Sequence, residues 1–271
     1  MTEAANSTQS SAKTTKIEPA VLSVTTVDIL EILAAGLRDF RAAPLYGLAV
    51  GGIYTIGGWL LILLLVYLDL PYLVYPLAAG FAFIAPFIAT AFYAISRSLE
   101  NGEVLSWGGI LGSVRDSARR DLRWMALVTG FSLFIWMDIA ALLFFGFLGL
   151  NALSAQELLR EIFTTPMGLL FLVIGNSVGA VLALAVFSFS VTSFPMLFDR
   201  DIDFVTAMVT SIKVVLANRA AMVAWCVVIA GLIGFSLLSG LVGLLVILPV
   251  LGHASWHLYR RAISAVPAET E

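Results

Sequence analysis

Few side chains in this sequence are placed where they could do chemistry. Asp138 lies in the middle of the unbroken apolar run FSLFIWMDIAALLFF, residues 131–145. An ionised carboxylate at the centre of a membrane span is costly, and such residues mark proton or ion paths or pair with a polar neighbour. No Lys, Arg or His falls at that depth in another apolar stretch, but Asn176 does, ten residues into a later one. Two readings stay open. A protonated Asp138 bonded to Asn176 would be polar glue between helices. A titrating Asp138 would be a station on a proton or cation path.

The two histidines, His253 and His257, stand in HASWH at i and i+4 on one helix face. Imidazoles at this spacing can share a metal ion. A metal shell needs further ligands, and no Asp, Glu or Cys adjoins them in sequence. Cys226, the single cysteine, lies at a depth similar to His253 and could approach it. A structural histidine pair is the expected role, with no bound metal and no cofactor. DRDID (199–203) resembles the start of a calcium loop, but the sixth and twelfth positions are Phe204 and Thr210 instead of Gly and Glu. Its acidic residues are expected to stabilise the first turn of the following helix through the helix dipole.

The elements that must position these residues follow from composition. Hydrophobic residues make up 60% of the 271-residue chain and charged residues 12%, against about 25% charged in soluble domains. This marks an integral membrane protein, and the net charge of −3 points to no nucleic-acid partner. A lone cysteine excludes an intrachain disulfide. Residues 1–22 lack an apolar signal-peptide core and read as a disordered tail. Residues 23–263 form one membrane domain, and 264–271 a short C-terminal tail. Six stretches reach the roughly 20 residues needed to span a bilayer: 44–67, 71–95, 124–150, 166–192, 220–239 and 241–259. They pair as three hairpins, 44–95, 124–192 and 220–259.

Fourteen of the fifteen basic residues precede span one, join spans two to three or four to five, or follow span six; only Arg160 does not. The positive-inside rule makes both termini cytoplasmic. Before each hairpin, apolar residues recur at three- and four-residue spacing: Val27, Leu30, Ala34 and Leu37; Val104, Trp107, Leu111, Val114 and Ala118; Ile202, Val205, Val209, Ile212 and Leu216. Each predicts an amphipathic helix lying in the cytoplasmic interface. The plan is therefore all-α, with one unit of interfacial helix plus hairpin used three times. GFAFIAPFIATAFYAISR (80–97) and GLLVILPVLGHASWHLYR (243–260) share Gly, Pro and Arg in register, and ALAVFSFSVTSFPMLFDR (183–200) keeps the arginine. Ser154 and Glu157 predict a capping box on a short periplasmic helix. Gly47 with Gly51, and Gly175 with Gly179, form GxxxG pairs suited to close helix packing.

LAAGLRDFRAAPLYGL (33–48) and AAGFAFIAPFIATAFYAISRSLENGE (78–103) resemble a bacterial membrane family known as domain of unknown function 2189. Gly80, Pro86, Tyr93, Ser96, Arg97, Leu99 and Glu100 carry the likeness, which extends over most of the chain from about Leu33. Some members are labelled cytochrome c oxidase subunits. Two histidines cannot ligate two haems and a copper, so the catalytic subunit of such an enzyme is excluded. The resemblance implies a bacterial inner membrane and no catalytic residues. No nucleophile–base set, phosphate loop or metal cluster appears, so a non-enzymatic role is expected: an accessory or structural component of a membrane complex or of lipid organisation. Its partners would be membrane lipids and other membrane subunits. The alternative is a small transporter or channel using Asp138. An enzyme acting on lipids through His253 and His257 ranks last.

Overall fold

The computed structural model describes residues 19–119, 122–149 and 154–267. Its helices are α1 (Thr26–Ala42), α2 (Pro44–Tyr67), α3 (Val74–Glu100), α4 (Trp107–Arg119), α5 (Leu122–Leu148), α6 (Ala155–Thr164), α7 (Pro166–Ser190), α8 (Ser193–Asp199), α9 (Phe204–Ala217), α10 (Arg219–Leu238) and α11 (Leu244–Ala262). Strand β1 (Pro19–Val21) pairs antiparallel with β2 (Ile263–Pro267). The ends expected as tails therefore meet at residues 19–22 and 264–267, while residues 1–18 and 268–271 lie outside the described residues. Asn218 holds this junction to the bundle. Its side chain accepts from the Val24 amide at 2.7 Å and donates to the Leu22 carbonyl at 3.1 Å.

Among the described residues, five segments are long and apolar enough to cross a membrane: Pro44–Tyr67, Pro76–Glu100, Leu122–Leu148, Pro166–Asp199 and Arg219–Leu238. Helix α11 occupies the expected sixth span but is not one of them. Its C-terminal half carries His253, His257, Arg260 and Arg261, and most of its residues are buried by neighbouring helices. Helix α1 is packed along it. A Cβ added at Gly36 would lie 2.6 Å from the Val250 carbonyl oxygen. The GxxxG pair of α2 also faces α11: Gly47 and Gly51 both abut Pro249. In the other pair, Gly179 meets Trp136 of α5, while Gly175 borders a cavity.

The three amphipathic stripes read from sequence turn away from the bundle. Val27 and Leu30 on α1, Trp107 and Leu111 on α4, and Val205, Val209, Ile212 and Leu216 on α9 are all exposed. The faces packed inward are Ile29, Ile32, Ala35 and Gly36 on α1, Ile110 and Ser117 on α4, and Ala207, Thr210, Ser211 and Val214 on α9. Each helix thus has an inner face packed on the protein and exposed apolar residues on its outer face.

The C-terminal ends of α3, α8 and α11 converge. Tyr93 of α3, Phe198 of α8 and Trp256 of α11 form a triangle with ring centroids 6.1 to 6.2 Å apart, all within aromatic contact range. All three are buried. The break between α7 and α8, which sends Phe198 into this triangle, is anchored on α9: Ser211 Oγ accepts from the Thr192 amide and donates to the Ser188 carbonyl. Truncating the largest of the three rings, Trp256→Ala, is expected to cost about 3–5 kcal/mol. Unfolding in detergent measures this, and a loss under about 1 kcal/mol would show that the triangle does not carry the junction.

Candidate functional site

Around the triangle, an arginine near each of these helix ends reaches onto a neighbouring helix end. The Arg97 guanidinium lies 4.6 Å from the Phe198 ring centroid. Arg200 donates from Nε to the Tyr259 hydroxyl at 2.8 Å and from its terminal nitrogen to the Ser264 carbonyl at 2.7 Å. Arg260 lies 3.5 Å from Glu100, three residues after Arg97, and 3.8 Å from Asp199. The Tyr259 hydroxyl donates in turn to Asp199 at 2.7 Å. The contacts run in a ring, from α3 to α8, from the end of α8 to α11, and from α11 back to α3.

Inside this ring lies a second network. Asp39 Oδ2 accepts from Ser96 Oγ at 2.6 Å and from His257 Nε2 at 2.8 Å. Ser96 Oγ also lies 2.8 Å from His253 Nδ1. The serine has one proton and gives it to Asp39, so His253 must donate from Nδ1 to Ser96. That leaves Nε2 of His253 as the bare acceptor. It is buried and has no hydrogen-bond partner among the described residues. A second proton there would be a buried donor without an acceptor, so His253 is held neutral. Burial pushes the Asp39 carboxyl up, but the hydrogen bonds from His257 and Ser96 more than offset this and hold it below the usual carboxylate range.

Helix register explains the assembly. His253, His257 and Arg260 lie at i, i+4 and i+7 on α11, while Ser96 and Glu100 lie at i and i+4 on α3. Both α3 and α1 pack on α11, which brings Asp39 between the two polar rows. Gly252 permits the approach, since a Cβ there would collide with the Phe92 ring. At the far end of α1, Thr25 and Asp28 form a capping box, and Arg261 donates to Asp28 at 2.5 Å. These bonds lower the Asp28 pKa, the Thr25 contacts most strongly and Arg261 less so. DRDID is divided between two tasks. Asp199 joins the arginine ring, and Asp203 caps α9 by accepting from the Thr206 amide at 2.9 Å.

His253 and His257 are thus joined through Asp39 and Ser96. Among the described residues, no group of three or more His, Cys, Asp or Glu side chains could hold one. Cys226 lies half-exposed on α10, whereas His253 faces Ser96 and Phe92 of α3. Asp39 and Ser96 were not singled out as site residues from sequence. Ser96 sits beside the repeat arginine in the stretch that carries the family resemblance, which was its one available signal. Asp39 lies 218 residues from His257, and nothing local reveals that contact.

The expected pairing of Asp138 with Asn176 does not form: among the described residues no hydrogen bond joins them. The inward face of α5 carries Met125, Thr129, Trp136 and Phe144. Asp138 is two residues from Trp136, about 200° around the helix, so it points outward and is exposed. The Asn176 amide donates to the Leu172 carbonyl of its own helix at 2.7 Å. Asn176 also borders a cavity of about 210 Å³ walled by Tyr72, Trp136, Phe144, Leu158 and Phe171. That cavity lies beneath α6, whose Ser154 cap accepts from the Glu157 amide and donates to its carboxylate.

Residues 74–199 match the family described as predicted integral membrane protein (DUF2189), the family that the arginine-terminated hairpins resemble. The match takes in α3 to α8 and includes Gly80, Pro86, Tyr93, Ser96, Arg97, Leu99 and Glu100. It is narrower than the likeness from about Leu33, and leaves out Asp39 and both histidines. No curated protein and no solved structure matches the chain. The protein is an integral membrane protein with several apolar helices.

Asp39→Asn keeps the side-chain shape but removes the charged acceptor shared by Ser96 and His257. It is expected to cost about 1.5–3 kcal/mol near neutral pH. Because the Asp39 pKa is lowered on folding, its contribution is complete above the unfolded carboxylate value of about 3.9 and fades as pH falls through the lower folded value. Wild type should therefore lose stability on acidification below about pH 4 more steeply than Asp39→Asn. Parallel acid titrations of equal steepness would contradict the assigned charge.

Proposed function

We propose that the protein is a non-catalytic structural or accessory component of the bacterial inner membrane, acting by association with membrane subunits and lipids. The observation that carries this reading is the closure of the Asp39–Ser96–His253–His257 cluster. Ser96 and His253 are both 0% exposed, so no substrate can reach the serine hydroxyl. That hydroxyl donates to Asp39, and the neighbouring His253 nitrogen already carries a proton, so the pair is not arranged as nucleophile and base. The cluster binds α1, α3 and α11 to one another instead. The outward placement of Asp138 counts against transport through the bundle interior, because a path would need that carboxylate to face inward.

In this reading the arginine ring and the three amphipathic helices lie at the cytoplasmic face, with both termini there and α6 in the periplasm. The distribution of basic residues supports that orientation. Reporter fusions after Gly102, Asp203 and Glu271 should report cytoplasm, and one near Gln156 periplasm. A periplasmic C-terminus would overturn the orientation and make α11 a helix that does not cross.

The functional test uses Ser96→Ala in a deletion strain. A structural cluster predicts that complementation follows protein level and thermal stability. A variant as stable and abundant as wild type that fails to complement would make the site catalytic or transporting and refute the proposal.

A further inference from the structure

Helices α5 and α7 touch at one level and part at the next. Gly179 is the point of contact: a Cβ there would lie 3.3 Å from the Trp136 ring. One turn nearer α6, a Cβ at Gly175 would meet only Phe171 of its own helix, at 4.0 Å. Small residues between membrane helices ordinarily let the backbones close up. Here Gly175, with Ala140 and Ala141 on α5, leaves room instead: all three line the cavity of about 210 Å³. Along α5 the wall of that cavity runs from Trp136 to Phe145, roughly 14 Å of helix. It is a slot parallel to the helix axes, roofed by Leu158 and Ile162 of α6.

The lining decides what fills it. A bare space of this size forfeits dispersion contacts along every wall. Water is a poor occupant, because it needs about two to four polar partners. Among the lining residues only Tyr72, Trp136 and Asn176 bring polar side-chain groups, and those of Trp136 and Asn176 donate to the Pro76 and Leu172 carbonyls. Apolar cavities of comparable size stay dry and take up an apolar guest. The mouth opens sideways. Ala141, Phe145 and Asn176 line the slot and are also exposed on the outside of two helices long and apolar enough to cross a membrane. Asn176 lies roughly 15 Å along α7 from Pro166, which in a bilayer is hydrocarbon depth. The molecules at that depth are lipid chains, and they run along the same axis as the slot. We infer that the cavity between α5 and α7 holds one acyl chain of a phospholipid drawn from the surrounding bilayer. The inference rests on the reading that the protein associates with lipids, and gives one lipid its place.

Native mass spectrometry of the full chain, released from nanodiscs of dioleoyl phosphatidylglycerol, tests it. Wild type should keep a single phospholipid at collision energies that strip all others. Gly175→Leu and Ala140→Leu fill the slot from opposite walls, and each should lower the retained fraction about tenfold, as overpacking an occupied site implies. Either variant alone suffices if the other does not fold. Gly130→Leu adds the same bulk to the outer face of α5, where a Cβ meets nothing within 4 Å, and should retain the lipid as wild type does. Unchanged retention in the slot variants, or an equal loss in Gly130→Leu, would overturn the inference and leave association with lipid elsewhere on the surface standing. A retained mass equal to a free fatty acid would also overturn it. Wild type stripped bare at the lowest energies would contradict both the site and the lipid-association reading.

Discussion

The junction of Tyr93, Phe198 and Trp256 is the constraint on which the rest of the architecture depends. Each ring comes from a different helix end, those of α3, α8 and α11, and all three are buried. Three helix ends carrying Arg97, Arg200 and Arg260 would otherwise repel one another. The rings let them meet by giving the cations aromatic faces and hydroxyl groups to rest on. Arg97 takes the Phe198 face and Arg200 the Tyr259 hydroxyl, while Arg260 finds Glu100 and Asp199. Each helix end is thereby held by a neighbour, and the arrangement closes only when all three are in place.

This closure gives the molecule two unlike ends. At the arginine end, α1, α3, α8 and α11 are joined by side chains distant in sequence, including the Asp39–Ser96–His253–His257 network. At the other end stand the cap of α6, the small cluster around Phe144 and Leu148, and the bond from Trp59 to the Gly240 carbonyl. Between them, α5 and α7 stand at the margin of the bundle with long exposed apolar faces. Several polar side chains there satisfy themselves on their own helix, as Ser132, Asn176, Ser177 and Ser188 do on carbonyls four residues back.

Much of the fold could be read from sequence because membrane helices announce themselves by length and composition. The start of α2 at Pro44 and of α7 at Pro166 agrees with the reading, as do the tight turns around Asp69 and Gly240 and the shared Gly–Pro–Arg pattern of α3 and α11. The errors came from questions of direction. The apolar stripes of α1, α4 and α9 were legible, but their outward orientation depends on the second, inner face that tertiary packing selects. The face of Asp138 was not legible, because every residue near it is apolar and the rotation of α5 is fixed by the burial of Met125, Thr129, Trp136 and Phe144. His253 and His257 stood out by type and spacing. Their partners Asp39 and Ser96 arrive from helices 157 to 218 residues away in the chain, a distance across which one sequence carries no local signal.

The most direct test of the closed ring is amide hydrogen exchange in the full-length Arg200→Ala variant in detergent or nanodiscs. Arg200 joins the end of α8 to α11 and makes no bond to α3. If the three helix ends are mutually dependent, exchange should quicken in α8, in the last turns of α11 around His257–Ala262, and in the C-terminal turn of α3 around Ser96–Glu100. Faster exchange confined to α8, with α3 and α11 protected as in wild type, would show that the three ends are held independently and contradict the account.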